Sequence, residues 1–127
     1  MKILLVEDNL MNQKVVMFNL KKLNYEIIPA VTGSQAIELF KSNRIGLVLM
    51  DIMLPEMNGY DITRVIRNFE KENNIEKPVP IIALTANTYD NDKEKCFLAG
   101  MNDYISKPFT AKQLTDIVEQ YMELEKG

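Results

Sequence analysis

A chain of 127 residues with 46% hydrophobic content has the length of one domain, residues 1–127, and enough apolar material for a substantial core. Its 15 basic and 18 acidic residues leave a net charge of −3, which supplies no attraction for nucleic acid or an anionic membrane surface. Histidine is absent, so Ser/His/Asp catalysis, a histidine-ligated metal and a phosphohistidine on this chain are all excluded.

Five short apolar runs alternate with amphipathic stretches, the pattern of βα units in a parallel sheet covered on both faces. The first strand is expected from Lys2 to Val6 and runs out into Glu7 and Asp8. A helix starting near Leu10, with Asp8 or Asn9 as its N-cap, is marked by Val16, Leu20 and Leu23. The second strand spans Glu26 to Ala30, and Thr32 caps a second helix that buries Ala36, Ile37 and Phe40. Leu47 to Asp51 form the third strand. Ile62, Val65, Ile66 and Phe69 recur at i, i+3, i+4 and i+7 and predict the third helix, and Glu70 to Pro78 reads as its end and a loop. Pro80 to Leu84 form the fourth strand, followed by Thr85. The fourth helix, around Asp92 to Ala99, has few apolar anchors and ends at Gly100, where a left-handed residue is needed. Asp103 to Ile105 make a short fifth strand carrying Tyr104, a core or rim aromatic, and Lys107 lies just beyond it. Thr110 caps a fifth helix through Leu114, Ile117, Val118, Tyr121 and Met122. The lone Cys96 reads as a small buried hydrophobe that cannot form an internal disulfide, and the eight methionines read as core filling, with Met53, two residues past Asp51, the exception in position. With no signal-peptide pattern and no apolar run of membrane-spanning length, a reducing, cytoplasmic setting without membrane insertion is expected.

The strand ends carry the chemistry. In an open parallel α/β sheet the carboxyl ends of the strands share one crevice, which here would collect Glu7, Asp8, Asp51, Thr85 and Lys107. Each residue alone has an ordinary role as a cap, turn residue or solvated charge, and their joint occurrence at four strand exits is what argues for a site. Three neighbouring carboxylates repel by about 1 kcal/mol per pair at 4 Å in water, and by several times more at lower effective dielectric. One lysine does not neutralise them, whereas a hard divalent cation does, and an all-oxygen site with water positions suits Mg²⁺. The expected ligands are Asp8 and Asp51, with Glu7 direct or through water. A carboxylate beside Mg²⁺, a lysine and a hydroxyl is equipped to attack phosphorus and become an aspartyl phosphate.

These residues resemble the receiver domain of two-component response regulators over essentially the whole chain. The resemblance rests on Leu4-Leu-Val-Glu-Asp-Asn9, Leu49-Met-Asp-Ile-Met-Leu-Pro-Glu-Met-Asn-Gly59, Ile82-Ala-Leu-Thr-Ala86 and Tyr104-Ile-Ser-Lys-Pro-Phe109. The further segments Asn9-x-x-Asn12-Gln13, Leu84-Thr-Ala-Asn87 and Cys96-x-x-Ala-Gly-Met101 are most similar to receivers of hybrid sensor kinases. The resemblance implies a doubly wound, flavodoxin-like (βα)5 fold with strand order 2-1-3-4-5. It implies Asp51 as phosphoryl acceptor, Glu7 and Asp8 as Mg²⁺ acids and the Met53 backbone carbonyl as a further metal ligand. Thr85 becomes the hydroxyl that follows the phosphoryl group, Lys107 its cationic partner, and Tyr104 an aromatic that changes rotamer. The Lys107-Pro108 bond is implied to be cis.

The expected function is therefore phosphorelay signalling, as a free-standing regulator or a domain of a hybrid sensor kinase. The chain would take a phosphoryl group from the phosphohistidine of a sensor kinase or histidine phosphotransfer protein, then switch conformation to control a partner, with the face of helix four, strand five and helix five expected to carry the signal, or pass the phosphoryl group on. It would catalyse its own phosphorylation and slow dephosphorylation without being a conventional turnover enzyme. A haloacid-dehalogenase-like phosphatase would need a second acid two residues after the aspartate, where this chain has Met53. A flavodoxin-like carrier would need a hydroxyl-rich phosphate loop where Glu7 and Asp8 stand. A binding-only receiver-like module would lack part of the site.

Overall fold

Strict alternation of side chains along the central strands explains the layering. The computed structural model describes residues 1–86 and 90–126. Its elements are β1 (Lys2–Val6), α1 (Leu10–Leu20), β2 (Glu26–Ala30), α2 (Gly33–Ser42), β3 (Ile45–Asp51), α3 (Gly59–Glu72), β4 (Ile81–Thr85), α4 (Asp90–Ala99), β5 (Asp103–Ser106) and α5 (Ala111–Lys126). A single 3-10 turn, Lys21–Leu23, follows α1. All four ladders are parallel, and the order β2-β1-β3-β4-β5 agrees with the expected doubly wound sheet.

Because successive residues of a strand point to opposite faces, one sheet supplies two cores. Leu4, Val6, Val48, Met50, Ile81 and Ala83 pack with Ala36 and Phe40 of α2, Ile62 and Ile66 of α3, and Cys96 of α4. Ile3, Leu5, Leu47, Leu49, Ile82 and Leu84 pack with Val16 and Leu20 of α1 and with Leu114, Val118 and Met122 of α5. Each fully buried Leu or Ile contributes roughly 1.5–3 kcal/mol relative to exposure, so the central strands dominate the apolar stabilisation. Being buried on both faces, they read as continuous apolar runs.

The helix starts match expectation. Asn9 caps α1 through Asn12 N–H, Thr32 caps α2 through Gln35 N–H, and Thr110 forms a reciprocal capping box with Gln113. Gly100 closes α4 at φ 107°, as its position predicted. The Lys107-Pro108 bond is cis. Strand limits differ slightly: β3 begins two residues early at Ile45, β4 runs Ile81–Thr85, and β5 extends to Ser106. Pro80 lacks the N–H that a ladder residue donates, and pairing begins after it.

One expectation needs correction, and one residue has a role that the sequence does not show. Core filling describes Met50, Met101 and Met122, but Met1 and Met11 are exposed, while Met53, the expected exception, is exposed as well. Met11 joins Val15 and Phe18 in an exposed apolar stripe on α1, a face that periodicity alone assigns to no partner. Glu70, grouped with the polar helix end, is buried and holds structure together: its Oε2 accepts Val79 N–H at 2.6 Å and its Oε1 pairs with Arg67 at 2.7 Å.

Candidate functional site

Register brings the site residues to one edge. Val6 lies opposite Met50, Asp51 opposite Leu84, and Thr85 opposite Ser106, so Glu7, Asp51, Thr85 and Lys107 leave their strands at nearly the same level. The loop after β3 turns back tightly into α3, where Asn58 caps the helix through Asp61 N–H. Gly59 belongs there because a Cβ would stand 2.8 Å from the Asp51 carbonyl oxygen.

Asp51 is held by both carboxylate oxygens. Oδ1 accepts the Met53 N–H at 3.0 Å, and Oδ2 accepts from Lys107 Nζ at 3.2 Å. The same ammonium stands 3.7 Å from Glu7 Oε2. Carboxylate oxygens of Glu7, Asp8 and Asp51 all lie within 4.8 Å of one another, with Glu7 and Asp51 buried and Asp8 exposed. Thr85 is buried at the end of β4, where its carbonyl accepts the Lys107 N–H at 2.7 Å. Met53, two residues past Asp51, is 73% exposed. Asn87, expected from the sequence to flank the site together with Met53, lies outside the described residues.

Electrostatically the cluster is incomplete. Burial, reinforced by Asp51 alongside, pushes the Glu7 carboxyl up to about 7, while the Asn12 hydrogen bond and the Lys107 ammonium act in the opposite direction. Glu7 Oε2 is buried without a hydrogen-bond donor among the described residues. Three carboxylates, one of them with an orphaned oxygen, form the donor set of a hard-cation site, and the single Lys107 ammonium beside them does not neutralise their charge. Next to it opens a cleft of about 400 Å³ lined by Glu7, Asn12, Val15, Lys107, Pro108 and Phe109, among others.

The structure thus unites Glu7, Asp8, Asp51 and Lys107, with Thr85 one residue beyond the Asp51 rung. It adds two residues that strand-end reasoning passes over. Asn12 Nδ2 donates to Glu7 Oε1 at 2.7 Å, and buried Gln13 donates to the carbonyls of Glu7 at 2.6 Å and Ala30 at 3.3 Å. A signal for them existed, because Gln13 interrupts with a polar group the buried stripe that Val16 and Leu20 continue. Among the described residues no helix is long and apolar enough to cross a membrane.

Similarity to known proteins matches this geometry. A family model described as the response regulator receiver domain matches residues 3–119. Hybrid signal transduction histidine kinase B of Dictyostelium discoideum is 42% identical over 129 residues, covering 95% of this chain and 7% of that protein. Peroxide stress-activated histidine kinase mak2 of Schizosaccharomyces pombe is 36% identical, covering 98% of this chain and 6% of that protein. The chain therefore spans a small fraction of these curated relatives. Among solved structures, the receiver domain of sensor histidine kinase PA1611 from Pseudomonas aeruginosa, with a magnesium ion coordinated in its active site cleft, is 43% identical. Its TM-score is 0.83, with 96% of this chain and 97% of that chain covered. A co-crystal structure of the Saccharomyces cerevisiae histidine phosphotransfer signaling protein Ypd1 and the receiver domain of its downstream response regulator Ssk1 matches at TM-score 0.93 and 33% identity, covering 98% of this chain and 90% of that one.

Proposed function

The chain belongs to the response regulator receiver domain family, and from that premise we propose that Asp51 accepts a phosphoryl group from a partner's phosphohistidine in a phosphorelay. The observation that carries the proposal is the pairing of Asp51 Oδ2 with Lys107 Nζ at 3.2 Å inside an acidic cluster that one ammonium does not neutralise. An Asp51 carboxylate oxygen attacks phosphorus and forms the new P–O bond, the P–N bond breaks with its electron pair staying on nitrogen, and the partner's ring, already protonated at its other nitrogen, leaves as neutral imidazole. The product is an aspartyl phosphate.

Each side chain has a part. The Met53 N–H fixes the Asp51 carboxylate, the Lys107 ammonium is placed to pair with charge on the incoming phosphoryl oxygens, and the Thr85 hydroxyl supplies a donor at the same edge. The residues that would hold Mg²⁺ are Glu7, Asp8, Asp51 and the Met53 carbonyl, and the unsatisfied Glu7 Oε2 fits such an occupant. When bound, the ion neutralises carboxylate charge and stabilises negative charge developing on phosphoryl oxygens. The histidine donor is a sensor kinase or phosphotransfer protein, in keeping with the similarity to hybrid kinases and to the Ypd1-bound receiver. The output face is that of α4, β5 and α5, and the setting is the cytoplasm. Residues 1–127 act as one receiver domain.

Incubation with acetyl phosphate and Mg²⁺ tests the proposal by intact mass. One phosphoryl group is expected on the wild type and none on Asp51→Asn, and full labelling of that variant would place the acceptor elsewhere.

A further inference from the structure

We propose that Asn12 is a positioning residue that holds the Glu7 carboxylate in the orientation the cation site uses; the inference rests on the cation-assisted reading above. The segment Asn9-x-x-Asn12-Gln13 supplies nothing to the phosphoryl acceptor directly, yet all three side chains converge on the junction between β1 and α1. Asn9 Oδ1 accepts the Asn12 N–H at 2.9 Å and sets the first turn of the helix. Gln13, itself 6% exposed, ties the Glu7 carbonyl to the end of β2. The backbone of Glu7 is thereby fixed, and what remains free is rotation of its carboxylate.

Asn12 removes that freedom. Its Nδ2 donates to Glu7 Oε1 at 2.7 Å, which leaves Oε2, the buried oxygen without a donor among the described residues, turned toward Lys107 and the acidic cluster. The terminal torsion of a glutamate has a broad minimum, so without this bond the carboxylate is not held in one orientation. An uncharged amide is suited to the task. It orients the acid without cancelling the negative charge that attracts a cation, as a lysine at this position would. Partners that orient metal ligands from behind are commonly worth ten- to a hundredfold in affinity.

Asn12 is exposed apart from this contact, and alanine is the better helix former, so its removal is compatible with an intact α1. The experiment is a titration with Mg²⁺ alone, followed by amide chemical shifts, which also report whether each variant is folded. Asn12→Ala is expected to weaken Mg²⁺ affinity by about tenfold. Asn12→Ser, polar but too short to reach Glu7, is expected to behave alike. Met11→Ala changes the same helical turn on its exposed side and is expected to remain within about twofold of wild type, a difference of only ~0.4 kcal/mol. Wild-type affinity in both Asn12 variants, or an equal loss in Met11→Ala, overturns the inference. A wild-type chain without saturable shifts around Glu7, Asp8 and Asp51 overturns the cation reading and the inference together.

Discussion

At the residue scale the site is organised around charge that the fold leaves uncompensated. Glu7 has the clearest consequence, because its carboxyl is raised to about 7 by burial beside Asp51. The folded chain keeps this proton in a range where the unfolded chain has lost it, so the stabilisation is fully present below the ordinary carboxyl range and disappears as pH rises through 7. Metal-free protein should therefore lose stability as pH rises from about 4.5 to 8. Glu7→Gln should flatten that part of the profile in thermal unfolding across the range. Added Mg²⁺ should restore stability at the high-pH end, with proton release on binding. A profile for Glu7→Gln that falls as steeply as wild type would assign the loss to another group. Met53 governs a different property. Its thioether cannot align a water for attack on an aspartyl phosphate, and Met53→Asn would introduce both a donor and an acceptor at the rim. The decay of phosphorylated protein with Mg²⁺ present should accelerate by roughly three- to tenfold in that variant, a modest share of what positioned proton-transfer groups achieve. Unchanged or slower decay would show that this rim position does not control hydrolysis.

At the level of elements, the end of the sheet opposite the site is fixed by a clamp of three segments. Arg67 of α3 donates to Glu70, to Asn102 Oδ1 and to the Gly100 carbonyl, while Glu70 and Asn102 also accept the N–H groups of Val79 and Ile81 at the entry to β4. The turn from α4 to β5 is thus fastened to α3. The left-handed Gly100 allows the close approach, since a Cβ there would meet Arg67 Cγ at 3.0 Å. Removing Arg67 leaves the buried Glu70 charge without its cation, a defect that usually costs about 3–5 kcal/mol. Arg67→Ala should shift the denaturant midpoint accordingly, and Arg67→Lys should recover only part, because an ammonium cannot reproduce the fork that reaches three acceptors. Equal stability of Arg67→Lys and wild type would show that charge alone is sufficient.

For the whole molecule, the question is how an event at Asp51 reaches a partner. Thr85 ends β4 next to Asp51, and Tyr104 lies on the neighbouring strand, two rungs earlier and opposite Ala83. The Tyr104 ring is half-buried beneath the Lys93 ammonium, 5.2 Å from its centroid, so reorienting the ring disturbs a contact between β5 and α4. Phosphorylation should shift an existing balance between two packings of this face. Beryllofluoride with Mg²⁺ should therefore move amide resonances from Thr85 through α4 to Tyr104. Shifts confined to Glu7, Asp8 and Asp51 would describe a passive phosphate store instead.

Much of the fold is legible along the chain because it is local. Buried strands are short apolar runs, α3 and α5 show their periodicity, and caps such as Thr32 and Thr110 act within three residues. The strand-end acids and Lys107 are legible for a related reason: a parallel sheet gathers its carboxyl ends, so position along each strand already determines the neighbourhood. The tertiary structure alone decided which polar residues are paired across distance. Glu70 looks like part of a solvated helix end until Arg67 and the Val79 N–H meet it, and Asn12 looks like an ordinary residue of an exposed turn until its amide reaches Glu7. It also decided that Met11, Val15 and Phe18 remain exposed on α1. Hydrophobic periodicity arises from burial averaged over a face and survives in sequence, whereas a hydrogen bond depends on the placement of two specific groups and leaves no periodic trace.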